Sequence, residues 1–137
     1  MTATTSIENQ VPTAAQFLSL REAAGMAPRS REAVEQGLPN SVFGVLAVHD
    51  QTDEVVGMGR IVGDDGSVYH ICDMAVRPEF QGQGLGTRIM DALMDYIEET
   101  APPLAYVNLM ADVDGFYERW GFEHTAPASK GMYLRTE

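Results

Sequence analysis

The sequence predicts an α/β fold, a mixed, largely antiparallel central sheet flanked by helices in the order α-α-β-β-β-α-β-α-β-β. Three observations carry that prediction. Stretches with strand vocabulary alternate with stretches of helical period. The 137 residues suit one domain, 1–137, rather than two. One sheet with helices on its faces is the simplest arrangement that buries all the apolar stripes. With 45% apolar and 21% charged residues, the chain is neither disordered nor low-complexity. A chain of this size buries about 65–70% of its unfolded surface, enough for a core without disulfides or a structural metal.

Residues 1–10 are polar and unpatterned and read as a flexible lead-in. A first helix begins near Pro12 and ends near Gly25, and a second runs from a Ser30 N-cap to Leu38. Val42–Val48, Glu54–Val62 and Val68–Val76 are strands, broken at His49–Asp53 and at Gly63–Gly66. Ile89, Met90, Leu93, Met94 and Ile97 then form one face of an amphipathic helix closed by Thr100-Ala101-Pro102-Pro103. A strand over Leu104–Met110 follows, then a short helix over Asp114–Trp120 with an acidic N-cap. Two last strands are expected around Phe122–Thr125 and Met132–Arg135. No internal repeat or linker divides the chain.

Nine Lys and Arg against twenty Asp and Glu give a formal charge of −11. That charge repels phosphate backbones and anionic lipid, arguing against nucleic-acid or membrane partners. It fits either a soluble or salt-adapted surface or the steering of a cationic small molecule. The single Cys72 cannot form an internal disulfide, and His49, His70 and His124 are scattered, so no metal is expected. With no long apolar run and no signal-like opening, the expected compartment is the cytoplasm.

The chemistry concentrates in Asp73–Arg88, where a strand, a glycine-rich turn and a helix start follow one another. Gly82, Gly84 and Gly86 lack the Cβ atoms that would hold an incoming group off the backbone, and they permit positive φ. The free N–H groups and dipole of the following helix make an anion site suited to a pyrophosphate. Without a ligand, the same glycines would serve as a tight strand-to-helix turn. A dinucleotide fingerprint fails because its third glycine would fall on Thr87 or Ile89, and no Lys-Ser/Thr pair completes a P-loop.

Gln81-x-x-Gly84-x-Gly86, preceded by Val76-Arg77-Pro78 and opening an amphipathic helix, resembles the acyl-coenzyme A motif of the GNAT superfamily of N-acetyltransferases. Tyr117-Glu-Arg-Trp-Gly121-Phe122 is similar to a second signature of that family, Tyr-x-x-x-Gly-Phe. The resemblance spans about Val42–Phe122. It implies a GNAT-like sheet splayed beside Val68–Val76, with the pantetheine arm pairing with the backbone of Met74, Ala75 and Val76. The loop and helix start at Gln81, Gly82, Gln83, Gly84, Leu85, Gly86 and Thr87 would hold the pyrophosphate of acetyl-CoA, the co-substrate. Where the family often has Asn and Ala, seven and four residues before the tyrosine, this chain has Met110 and Val113, with Asn108 off register and Asp112-Val-Asp114-Gly115 between. The coenzyme contact made there in relatives does not carry over. Asp112 and Asp114 read as caps. Relatives commonly dimerise, so the resemblance allows a homodimer.

Acetyl transfer needs a neutral amine, a polarised thioester carbonyl and a proton for the departing thiolate. The resemblance places the acid on Tyr117; its alternative is packing of an amphipathic ring. Some relatives carry Glu or His eleven residues before the motif, here His70, as the base. A strand histidine is otherwise a hydrogen-bonded structural residue. Asp73, a carboxylate in an apolar run, is a third catalytic candidate, as base or as anchor for a substrate ammonium. Its alternative is an ion pair with an arginine such as Arg60. Simple alternation sets His70 and Asp73 on opposite faces unless a bulge intervenes. Cys72 reads as a small apolar residue rather than a nucleophile, and Met90 and Met94 read as core.

The expected activity is transfer of an acetyl group from acetyl-CoA to a primary amine by direct attack in a ternary complex. The overall charge favours a small cationic amine. The alternatives are a non-catalytic acyl-CoA-binding sensor or interaction module, or acetylation of a protein N-terminus or lysine.

Overall fold

A computed structural model describes residues 4–137. The helix starts are capped as the sequence suggests. Thr13 Oγ1 accepts from Gln16 N–H at 3.2 Å while Gln16 Oε1 accepts from Thr13 N–H at 2.9 Å, a reciprocal box at the head of α1 (Ala14–Ala23). Ser30 Oγ accepts from Ala33 N–H at 3.1 Å at the head of α2 (Arg31–Gly37).

Five strands lie side by side in sequence order: β1 (Thr5–Glu8), β2 (Phe43–His49), β3 (Val55–Gly63), β4 (Val68–Val76) and β5 (Tyr106–Leu109). All neighbours are antiparallel except β4 and β5, which are parallel because α3 (Leu85–Thr100) crosses between them. The β3–β4 turn is held by Asp64, whose Oδ1 accepts from the N–H groups of Gly66, Ser67 and Val68 at 2.8–3.0 Å. These bonds, with that from the Ser67 hydroxyl, hold its carboxyl well below the usual range.

The sheet has a core on each face. Leu85, Ile89, Met90, Leu93 and Ile97 of α3 pack on Val45, Ala47, Val56, Ile61, Tyr69 and Ile71. Phe17 and Leu20 of α1 and Val34 of α2 pack on Leu46, Val48, Val55, Met58 and Ala75. Met94 is only half-buried.

Both ends differ from the sequence prediction. Residues 5–8 are a strand because the edge of β2 recruits them through backbone pairing, which needs no apolar run. Ser6 Oγ donates to Asp50 at 2.6 Å and Arg88 Nη1 to the Thr5 carbonyl at 2.9 Å, pinning the strand from outside. Residues 1–3 of the expected flexible lead-in lie outside the described residues. The two last strands are not formed. Phe122–Thr125 and Met132–Arg135 carry no strand, Thr125–Ser129 turns around Pro127, and Met132, Tyr133 and Leu134 are exposed. The helix expected over Asp114–Trp120 is a single 3-10 turn, Tyr117–Trp120. Phe116, rather than Asp114, precedes it, with no side-chain cap.

Candidate active site

The glycine turn is built as a cradle. Gly82 and Gly84 have φ of 79° and 81°, and a Cβ at either would point into open space. Their need for glycine is therefore conformational, and the space above them is free for a ligand. Gly84 is the N-cap of α3 and accepts the first helical bond, from Arg88 N–H at 3.1 Å, so the amides of Leu85, Gly86 and Thr87 project from the helix start. Gln81 Nε2 donates to the Val76 carbonyl at 2.9 Å. Phe116 packs against Gly86, and the Arg119 guanidinium, stacked 4.6 Å from the Phe116 ring centroid, lies 3.4 Å from Thr87 Oγ1. Sequence reasoning passed over Arg119, although it lies inside the tyrosine motif.

Beside the cradle the sheet opens. β4 and β5 pair from Val68↔Tyr106 to Ile71↔Leu109, where β5 ends. Cys72–Val76 continues with β3 on one side and, among the described residues, no strand on the other, leaving the Met74, Ala75 and Val76 backbone at an edge.

Asp73 reshapes this half of β4. Its φ of 59° makes a bulge, so that the pairs Met58↔Ala75 and Arg60↔Cys72 enclose two β4 residues but one β3 residue. Tyr69 and Ile71 therefore face the α3 core while Ala75 faces α1. His70 and Asp73, set on opposite faces by simple alternation, share the α1 face. There Asp73 is engaged on both oxygens, at 2.7 Å from Arg21 Nη1 and 2.7 Å from Arg60 Nε, with its side chain 9% exposed. The ion pair weighed as the alternative for Asp73 is thus present, with a second arginine that sequence proximity gave no reason to expect.

His70 Nδ1 lies 2.5 Å from Asn108 Oδ1 on the paired position of β5. A carbonyl oxygen only accepts, so with the Asn108 amide in this orientation Nδ1 is the donor of the pair and Nε2 is left free of it. Asn108 was legible as a residue, but its partnership required the β4–β5 register. Tyr117 is buried and belongs to the same apolar cluster as Ile71 and Leu85. Burial, then the Asp112 carboxylate, raises its phenol pKa, so it holds its proton at neutral pH. Asp112, read as a cap, is thus an electrostatic neighbour of Tyr117. Burial beside Asp73 pushes the Cys72 thiol up to about 12, which leaves it without nucleophilic thiolate.

A cavity of about 710 Å³ lies along the outer edge of β5, lined by Met94, Asn108, Leu109, Tyr117 and Trp120 among others. It meets the site through Asn108 and Tyr117 and does not reach the glycine cradle. Among the described residues no cluster of His, Cys, Asp and Glu is arranged to hold a metal, and no helix is long and apolar enough to cross a membrane.

A sheet parted beside a glycine cradle, with a buried tyrosine at its rim, defines the acyl-coenzyme A-dependent transferases of the GNAT fold. A GNAT acetyltransferase domain model matches residues 40–124, and the chain belongs to that family as an N-acetyltransferase. It is 29% identical over 118 residues to "Uncharacterized N-acetyltransferase ycf52" of Pyropia yezoensis, covering 83% of this chain and 67% of that protein. A Staphylococcus aureus protein of unknown function named "Probable Acetyltransferase" superposes with a TM-score of 0.91 at 41% identity, over 97% of this chain and 100% of that one. A Brucella melitensis GNAT acetyltransferase solved in complex with acetyl-CoA shares the fold, with a TM-score of 0.67 at 22% identity over 90% of this chain and 85% of its own.

Proposed function

We propose that this N-acetyltransferase moves an acetyl group from acetyl-CoA to a primary amine by direct attack in a ternary complex. The observation that carries the reading is the β4 stretch Cys72–Val76, paired with β3 on one side and with no described strand on the other, followed after one short turn by the glycine cradle. Met74, Ala75 and Val76 would pair with the pantetheine amides, and the Gly82–Thr87 amides would receive the pyrophosphate. Such contacts use backbone dipoles and are therefore compatible with a net charge of −11. The co-substrate supplies the activated acetyl thioester.

The side chains divide the proton work. His70 Nε2 accepts a proton from the acceptor nitrogen, directly or through a water, as that nitrogen bonds to the acetyl carbon. Tyr117 Oη donates its proton to the sulfur as the carbon–sulfur bond breaks. Asn108, bonded to Nδ1, would hold the ring so that Nε2 serves the acceptor. Asp73, with both oxygens on guanidinium groups, is better suited to holding the bulge than to taking a proton. The unpaired Cys72 fits a reducing compartment such as the cytoplasm.

The test is calorimetric titration with acetyl-CoA, followed by thiol release against a panel of primary amines. Binding with amine-dependent thiol release is expected. Failure to bind overturns the reading, and binding without release from any amine or peptide N-terminus leaves a sensor instead.

A further inference from the structure

The charge on the α1 face of the site is opposite to that of the whole protein. Arg21 and Arg60 share one carboxylate, Asp73, and among the described residues no other acid lies within ion-pair distance of either. Arg21 is spent on the fold: its Nε and Nη2 donate to the Ala27 carbonyl at 3.2 and 2.6 Å, and it is 5% exposed. Arg60 is not. Its Nε donates to Asp73 and its Nη1 to Ser41 at 3.0 Å, while Nη2 has no partner among the described residues and is not sealed from solvent.

Both guanidiniums flank the Phe17 ring, at 5.7 and 5.6 Å from its centroid. Burial, the nearby Arg29 and, more weakly, Arg135 lower the pKa of Arg21, against the opposing pull of Asp73. Two guanidiniums, Arg21 and Arg60, thus share one carboxylate. The cluster of Arg21, Asp73 and Arg60 is not balanced, because two cations share one anion. It carries an excess cation with a free N–H edge suited to a carboxylate or phosphate oxygen.

The edge is at the right place. Arg60 pairs across the strands with Cys72, which lies two residues from His70 on the same face of β4. An anion on Arg60 therefore sits within about 10 Å of the His70 ring, from the residue spacing along and across strands. We infer that the acceptor is an amine bearing an anionic group, a carboxylate or a phosphate, which is seated on Arg60 while His70 addresses the amine. The inference rests on the acetyl-transfer reading and replaces the cationic acceptor suggested by the overall charge. A local guanidinium outweighs a screened surface field.

Acetyl-CoA-dependent thiol release is compared for matched amines: ethanolamine with phosphoethanolamine, aminopropanol with β-alanine, and spermidine as the polycation. The expected result is a kcat/KM at least tenfold higher for one or both anionic members, with phosphate and carboxylate sources separated by the pair that responds. Inorganic phosphate or acetate should inhibit competitively with the acceptor. In Arg60→Gln the anionic-to-neutral ratio should collapse towards one, while Arg60→Lys restores part of it; the wild-type panel decides should either variant misfold. Equal rates within each pair, or preference for spermidine, overturn the inference while leaving acetyl transfer intact. Thiol release from no amine, with acetyl-CoA bound, overturns the transfer reading on which it rests.

Discussion

Asp73→Asn removes the charge shared by Arg21 and Arg60 without disturbing the bulge, because asparagine tolerates the left-handed φ of 59° found there. Removing one partner of a buried ion pair costs about 3–5 kcal/mol. Here the lower end applies, since the Arg60 side chain is 17% exposed and the amide oxygen still accepts one bond. A loss of about 3 kcal/mol in a domain of this size lowers Tm by about 9–12 °C. Asp73→Ala adds the left-handed backbone penalty of about 1–2 kcal/mol and should unfold lower still. The assay is thermal unfolding by circular dichroism, paired with thiol release well below the transition. If Asp73 organises the fold, Tm falls in both variants and turnover survives in the folded Asn variant. A Tm within about 3 °C of the parent, with turnover reduced a hundredfold or more, would refute this reasoning and return Asp73 to the role of base.

Tyr117→Phe should keep acetyl-CoA affinity, because the ring still packs edge-on to Phe116 at 5.0 Å, and lose about 10²–10⁴ in kcat; calorimetry and steady-state rates separate the two. Burial raises the Tyr117 pKa, so activity dependent on its proton should persist through the ordinary tyrosine range and fall only above it. The stability arising from that shift is likewise fully present below the unfolded value of about 10 and lost as pH rises through the folded one. His70→Ala should lower kcat by about 10²–10⁴ while acetyl-CoA affinity is kept, read by steady-state rates and calorimetry. Asn108→Ala should lower kcat less than His70→Ala, and the double variant should match His70→Ala alone, the non-additivity of a residue acting through its neighbour. Cys72→Ala should retain turnover, and iodoacetamide at neutral pH should leave the parent active, because a thiol at about 12 presents almost no thiolate.

What was legible in the sequence followed from local rules. The cap at Ser30, the apolar stripe of α3 and the glycine turn each depend on residues within a few positions, and the structure forms all three. The bulge at Asp73 is different. Its strand reads as unbroken alternation, and only the slip in pairing with β3 shows that His70 and Asp73 share a face. Arg21 lies 52 residues from Asp73, and no pattern short of the docked helix links them. The same reasoning explains the misread ends. Thr5–Glu8 lacks apolar alternation and is a strand because β2 offers an open edge, whereas Met132–Arg135 has strand vocabulary but pairs with no strand among the described residues. Propensity proposes a strand; an available edge decides it.

The charge of the acceptor shows the same limit in electrostatic form. A net −11 is a sum over a surface, and exposed charges separated by more than about 8–10 Å are largely screened in ordinary salt. A catalytic face responds to what lies within that distance. On the α1 face this is one carboxylate between two guanidiniums, held there by a helix that the sequence predicts and a bulge that it conceals. On the proposed reading a polycation would meet like charge there, whereas an amine carrying its own anion would give the free Nη2 of Arg60 a partner.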